Sequence, residues 1–195
     1  MDRSYFTILQ GILSETRYDH SLRVSAVAAE LAELYQADRE KASLAGLLHD
    51  CAKNLPHAEL LRLAKQNGVP VSVVEETKPS LLHAPVGALI AKDRFGVLDG
   101  EILQAIALHT VGSENMTLLD KIVFIADKTE PGRDSDDLAE LNQIAKQDLD
   151  LALLHYFNAA IIEAIHEGEL IHPRAVLARN KINILRLQAG NNSHE

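Results

Sequence analysis

Six side chains able to bind a cation sit on otherwise apolar helical stripes: His20, the adjacent pair His49-Asp50, His83, His109 and Asp127. His20 lies one helical turn before Val24 and extends that apolar face. His109 follows Ile102 and Ile106 at helical spacing, and Asp127 follows Leu119 and Val123 in the same way. His49-Asp50 ends the run Leu44, Leu47, Leu48. His83 precedes Pro85 at a helix entry, and Gly87, one turn on, leaves space beside it. A carboxylate carried into a core requires a cation or several donors. Neutral imidazoles mixed with carboxylates suit Fe, Mn, Co or Zn better than Ca. Ions held this way act as Lewis acids and lower the pKa of water, which is the chemistry of hydrolysis.

Singly, each of these residues says little. A buried histidine is more often a hydrogen-bonded core residue than a ligand, and His-Asp is a common dipeptide. The weight rests on the whole set. Four other histidines fare worse: His57 and His155 lack the inward pattern and read as surface or ordinary packing, His166 reads as a helix end, and His194 as tail. Cys51, the one cysteine, reads as a small buried thiol. It excludes an intrachain disulfide and points to a reducing compartment.

The elements that must position these groups are helical from end to end. Apolar residues recur at helical spacing over 5–14, 18–35, 38–48, 56–67, 85–95, 101–109, 117–127, 135–147, 148–167 and 173–187. Asp38 reads as an N-cap and Gly68 as a residue closing a helix. Segment 69–82, with Pro70 and Pro79, reads as irregular. The expected architecture is all-α, a helical bundle in one domain over 1–189 with a frayed tail over 190–195. With 47% hydrophobic residues, the 195-residue chain can bury a core. Its net charge of −9 argues against nucleic acid and anionic membranes as partners. No signal peptide or membrane span is apparent, so the expectation is a soluble, cytoplasmic protein.

The order His20 … His49-Asp50 … His83 … His109 … Asp127 resembles the HD superfamily of metal-dependent phosphohydrolases. The closer similarity is to its bacterial YqeK-like branch, the symmetrical diadenosine tetraphosphate hydrolases. Five segments carry it: HSLRVS (20–25), GLLHDCAKNLP (46–56), LLHAPVGA (81–88), ALHTVGSENMTLLDKIVFIADKTEPGR (107–133) and IHPRAVLARN (171–180). The first four are shared in outline across the superfamily. ADKTEPGR and the last segment are more specific to the branch. The resemblance spans nearly the whole chain and implies an HD-domain helical bundle. It implies one metal on His20, His49, Asp50 and Asp127, with Asp50 bridging to a second completed by His83 and His109. The implied cofactor is one or two divalent ions per chain, iron first, with Mn, Co or Mg as alternatives. The implied reaction is hydrolysis of diadenosine tetraphosphate to two ADP.

On that reading Asp50, His83 and His109 are catalytic; Asp50 fixes the metal pair, and His83 or His109 is either a ligand or the acid for the leaving group. Lys53, Arg133, His172, Arg174 and Arg179, with Lys181 nearby, are the candidate phosphate-binding residues. Asp120 and Lys128 are candidates for orienting His109 or Asp127. The partner is a small dinucleoside polyphosphate, and a homodimer is among the expected assemblies. Two alternatives share the ligand set: an HD-type nucleotidase acting on (deoxy)nucleoside mono- or triphosphates, and a nucleotide-sensing HD module without catalysis.

Overall fold

The most deeply buried helix among the described residues is also their centre. In α8 (Leu118–Thr129) the run Ile122 to Ala126 is fully buried, including Phe124. A continuous apolar run of more than one helical turn must be covered on every side. Here α2 (Glu15–Leu34), α3 (Arg39–Leu48), α7 (Gly100–Leu108), α9 (Leu138–Gln147) and α10 (Leu149–His166) surround it. The structure, a computed structural model, describes residues 2–132 and 138–191. Among these the secondary structure is helical, without strands.

The other helices are α1 (Arg3–Ile12), α4 (His57–Gln66), α5 (Val73–Thr77), α6 (His83–Phe95) and α11 (Pro173–Asn191). A 3-10 turn, Pro79–Leu82, leads into α6. One core joins α2, α3, α7, α8 and α10. A smaller one, of Ala52, Leu60, Ala64, Leu82 and Val86, sits under α4 and the 3-10 turn.

The chain's polar punctuation sets the ends. Asp38 accepts from the backbone N–H of Glu40 and Lys41 at the start of α3. Gly68 has φ 70° after α4, and Val69 N–H then bonds Ala64 O. Two expectations are corrected. Helix α2 begins at Glu15, three residues earlier than the apolar stripe suggested, with Ser14 as its N-cap. The segment 69–82 is not wholly irregular: Ser72 and Glu75 form a capping box that starts α5.

Helix α3 is drawn tightly onto α2. A Cβ at Gly46 would meet Ser25 Cα and Val24 O at 3.1 Å, so any side chain there would push the two backbones apart by a few tenths of an ångström. The close approach brings the end of α3 beside the inner face of α2, where His20 lies. Helix α11 runs on to Asn191, and residues 192–195 of the expected tail lie outside the described residues. No helix among the described residues is long and apolar enough to cross a membrane.

Candidate metal centre

Three of the candidate histidines are held by one local device. Helix α3 ends at Leu48, and His49 Nδ1–H donates to Gly46 O at 2.7 Å. His83 opens α6 with Nδ1–H on Ser80 O at 2.5 Å. His109 follows α7 with Nδ1–H on Ile106 O at 2.8 Å. Each ring is tied to a carbonyl three residues back, which assigns its proton to Nδ1. His20, in mid-helix, has no such carbonyl to reach. Its Nδ1–H donates to Glu130 Oε1 at 3.0 Å. Glu130 is 1% exposed, and its Oε2 accepts from Arg23 Nε at 2.5 Å and from Gly132 N–H at 2.7 Å.

All four Nε2 atoms therefore face one another and the carboxylates. His20 Nε2 lies 3.2 Å from His49 Nε2 and 3.1 Å from Asp127 Oδ1. Asp50 Oδ2 is 3.8 Å from His20 Nε2 and 3.7 Å from His49 Nε2. The other oxygen, Asp50 Oδ1, is 3.0 Å from His83 Nε2 and 3.6 Å from His109 Nε2, which are themselves 3.0 Å apart. All six residues are at most 6% exposed. The structure thus brings together every residue singled out as a ligand. Asp50 turns one oxygen to each half of the set.

The donor set fits a cation. With Nδ1 already donating, neutral rings point Nε2 lone pairs at each other and at carboxylate oxygens, which is repulsive without a positive charge between them. Asp50 Oδ1 is buried without a hydrogen-bond partner, with His83 Nε2 3.0 Å away. Ligands about 2.1 Å from an ion stand about 3.0–3.4 Å from one another in octahedral or tetrahedral sites. The observed separations are close to this.

Without an ion, neighbouring charges govern protonation. Burial works to raise Asp50, but His49, His109 and His83 outweigh it and hold the carboxyl well below its ordinary range. Burial likewise opposes ionisation of Asp127, and Lys128, His20 and His49 overcome it. Burial pushes His109 down to about 3 against the pull of Asp50, and it lowers His83 too. His49 is raised, because Asp50 and Asp127 overcome the burial that would lower it. Burial, with Asp50 nearby, pushes the Cys51 thiol up to about 12. Its Sγ donates to Gly87 O at 3.3 Å, a packing role. The space expected beside Gly87 is occupied by the turn carrying His49 and Cys51.

Cations ring the cluster. Lys53 Nζ lies 3.2 Å from His83 Nε2 and 3.8 Å from Asp50 Oδ1. Lys128 Nζ contacts Asp127 Oδ2 at 2.5 Å and His109 O at 3.4 Å. Arg17, which sequence reasoning missed, places NH1 3.2 Å from Asp50 Oδ2 while 41% of its side chain is exposed. The available signal was its position three residues before His20, on the same helical face. Glu130 was missed as well, because it lies just past the end of α8, beyond any apolar stripe.

Asp120 is corrected. It touches neither His109 nor Asp127, and instead closes the capping box with Thr117 and accepts from Gln104 Nε2 at 2.7 Å. Of the candidate phosphate contacts, His172 is buried and pairs with Glu75 Oε1 at 2.9 Å. Arg179 Nε donates to Asn158 at 2.9 Å. Arg174 and Lys181 are exposed, and Arg133 lies outside the described residues.

Comparison with known proteins agrees with this geometry. A family model described as HD domain matches residues 17–132. A Bacillus subtilis (strain 168) protein named bis(5'-nucleosyl)-tetraphosphatase, symmetrical, is 36% identical over 168 residues, 86% of this chain and 90% of that protein. One of the same name from Staphylococcus aureus (strain NCTC 8325 / PS 47) is 32% identical, covering 88% of this chain and 89% of its own. A crystal structure from Clostridium acetobutylicum, described as a predicted HD superfamily hydrolase involved in NAD metabolism, superposes with a TM-score of 0.91. It is 40% identical, covering 94% of this chain and 96% of that one.

Proposed function

The chain belongs to the HD domain family and, within it, to the symmetrical bis(5'-nucleosyl)-tetraphosphatase branch, and from that membership we propose that it hydrolyses diadenosine tetraphosphate at its centre to two ADP. The observation that carries the reading is the set of four Nε2 atoms and two carboxylates converging in one buried cluster, with Asp50 presenting an oxygen to each half.

The proposed ligands are His20, His49, Asp50 and Asp127 on one side, and Asp50, His83 and His109 on the other. Iron is the proposed metal, in one or two ions per chain, with Mn, Co or Mg as alternatives. A divalent ion held there supplies Lewis acidity, neutralising phosphate charge and lowering the pKa of a water. The chain's own cations do the rest of the binding. Arg17, Lys53 and Lys128 border the carboxylates and, once these are engaged, turn toward a polyphosphate carrying several negative charges. In a protein of net charge −9, such local positive charge is what retains that substrate.

Burial keeps His83 and His109 neutral near pH 7, which favours ligation over proton donation for both. Phosphate ionises near pH 6, so ADP leaves with little need of a proton. The protein is proposed to work in the cytoplasm, as a homodimer.

Product analysis tests the reaction. Diadenosine tetraphosphate incubated with metal-loaded protein yields ADP alone on this account. ATP with AMP would mean asymmetric cleavage and refute it. An intact dinucleotide, with turnover of nucleoside mono- or triphosphates, would establish the nucleotidase reading instead.

A further inference from the structure

A groove runs between α2 and α9. Arg23, Val27, Leu31 and Leu34 follow one another along its α2 wall at helical spacing, over about 16 Å. Helix α9 is the other wall. It is tied at one end by Asn142 Nδ2, which donates to Thr129 O at 2.9 Å, and at the other by Tyr35 OH, which donates to Ala145 O at 2.6 Å. Between the ties lies a cavity of about 560 Å³, within the range of small-molecule sites. Ala26, Val27, Leu31, Leu34 and Pro131 give it an aliphatic lining, and Glu30 and Lys146 stand exposed at its rim. Its polar end is Arg23. Glu130 Oε2 takes the Nε–H of Arg23, and Gly132 lies across the guanidinium, where a Cβ would collide with Nε, Cζ and NH2. Among the described residues no hydrogen bond engages NH1 or NH2, and 35% of the side chain is exposed. A guanidinium fork of this kind matches a carboxylate in two parallel hydrogen bonds.

We propose that this groove binds a medium-chain aliphatic carboxylate, with its head on the NH1 and NH2 groups of Arg23 and its chain along Val27, Leu31 and Leu34. The lining selects that class. A nucleobase and ribose carry heteroatoms that need partners when buried, and the aliphatic stretch offers them none. Glu130 already balances the charge of Arg23, so the head is held by hydrogen bonds more than by net charge. A monoanion suits such a site better than a polyphosphate. The occupant stays outside the metal centre and yet is coupled to it. Arg23 holds Glu130, and Glu130 holds His20 Nδ1–H at 3.0 Å, so a ligand on Arg23 is felt at His20.

Isothermal titration calorimetry of the metal-free full chain with octanoate, below its micellar concentration, tests this. One octanoate per chain is expected. Hexanoate, two methylenes shorter, binds about 5- to 15-fold more weakly. 1-Octanol, with the same chain length and no charge, binds at least about tenfold more weakly. Ala26→Phe fills the groove from an exposed position and abolishes binding, while its far-UV circular dichroism stays that of wild type. In NMR spectra of the wild type, the Arg23 Nε–H and His20 ring signals move as octanoate binds. No saturable binding of octanoate overturns the proposal. So does 1-octanol binding as well as octanoate, or Ala26→Phe binding octanoate like wild type, since either marks unspecific apolar contact. So does AMP occupying the groove where octanoate does not.

Discussion

Replacing Glu130 by Gln isolates the one histidine of the cluster that a carboxylate orients. Glu130 receives three donors: His20 Nδ1–H, Arg23 Nε–H and Gly132 N–H. Both of its oxygens are therefore acceptors. A glutamine offers one oxygen and one NH2, so in either orientation at least one donor faces another donor. Leaving a buried hydrogen bond unmade costs about 1–3 kcal/mol. For a chain of this size that lowers the melting temperature of the metal-free protein by about 2–12 °C. Loss of the partner that orients a ligand histidine also weakens metal binding about 10- to 100-fold. That is about 1.4–2.7 kcal/mol. The assay is titration of metal-free protein with Mn2+ or Co2+ against a chromophoric chelator, below the melting transition of both proteins. Affinity falling by that factor while the folded fraction is unchanged is the expected result. Equal affinity for Glu130→Gln and wild type would refute the claim that Glu130 positions His20.

Three further predictions follow from the same geometry. Arg17→Ala raises KM for diadenosine tetraphosphate about tenfold or more with a smaller change in kcat, and Arg17→Lys recovers part of it; steady-state kinetics at several salt concentrations reads both. Gly46→Ala places a Cβ 3.1 Å from backbone atoms of α2, so it destabilises the fold by about 1–3 kcal/mol and weakens metal binding by displacing His49, measurable by urea unfolding and the chelator titration. The metal-free protein is less stable at pH 5 than at pH 7. His109, pushed down to about 3, and His83, also lowered, bind fewer protons folded than unfolded, so their contribution is full above about 6.5 and is lost as pH falls. His49 is raised and works in the opposite sense, two groups against one, and Asp50 and Asp127 add to acid sensitivity only below the ordinary carboxylate range. Calorimetry in chelator at the two pH values checks this, and an equal or higher melting temperature at pH 5 contradicts it.

The positions of the cluster were legible because they violate the helical pattern. A His or Asp where a stripe calls for Leu or Val is visible in one dimension, as at His20 and at Asp127, which directly follows the buried run Ile122 to Ala126 of α8. The groups around the cluster break no pattern. Arg17 looks like any charged residue on a partly exposed helix turn, and Glu130 lies past the end of α8 in a Thr-Glu-Pro-Gly turn. Asp120 was misjudged because helical spacing gives the face of a residue and not its partner; its place three residues after Thr117 was the better signal. His172 has basic neighbours in sequence and a buried acidic partner, Glu75, 97 residues away, which only the fold reveals. Helix α5 was hidden between Pro70 and Pro79, although Ser72 and Glu75 spelled its capping box.

The most direct test of the account is the metal content of anaerobically purified wild type and Asp50→Ala, measured alongside ADP release from diadenosine tetraphosphate. Wild type is expected to carry a transition metal and to form ADP in a chelator-sensitive manner, and Asp50→Ala is expected to lose both while remaining folded. Turnover that persists in Asp50→Ala, or that ignores chelators, would contradict the claim that this cluster is the hydrolytic centre.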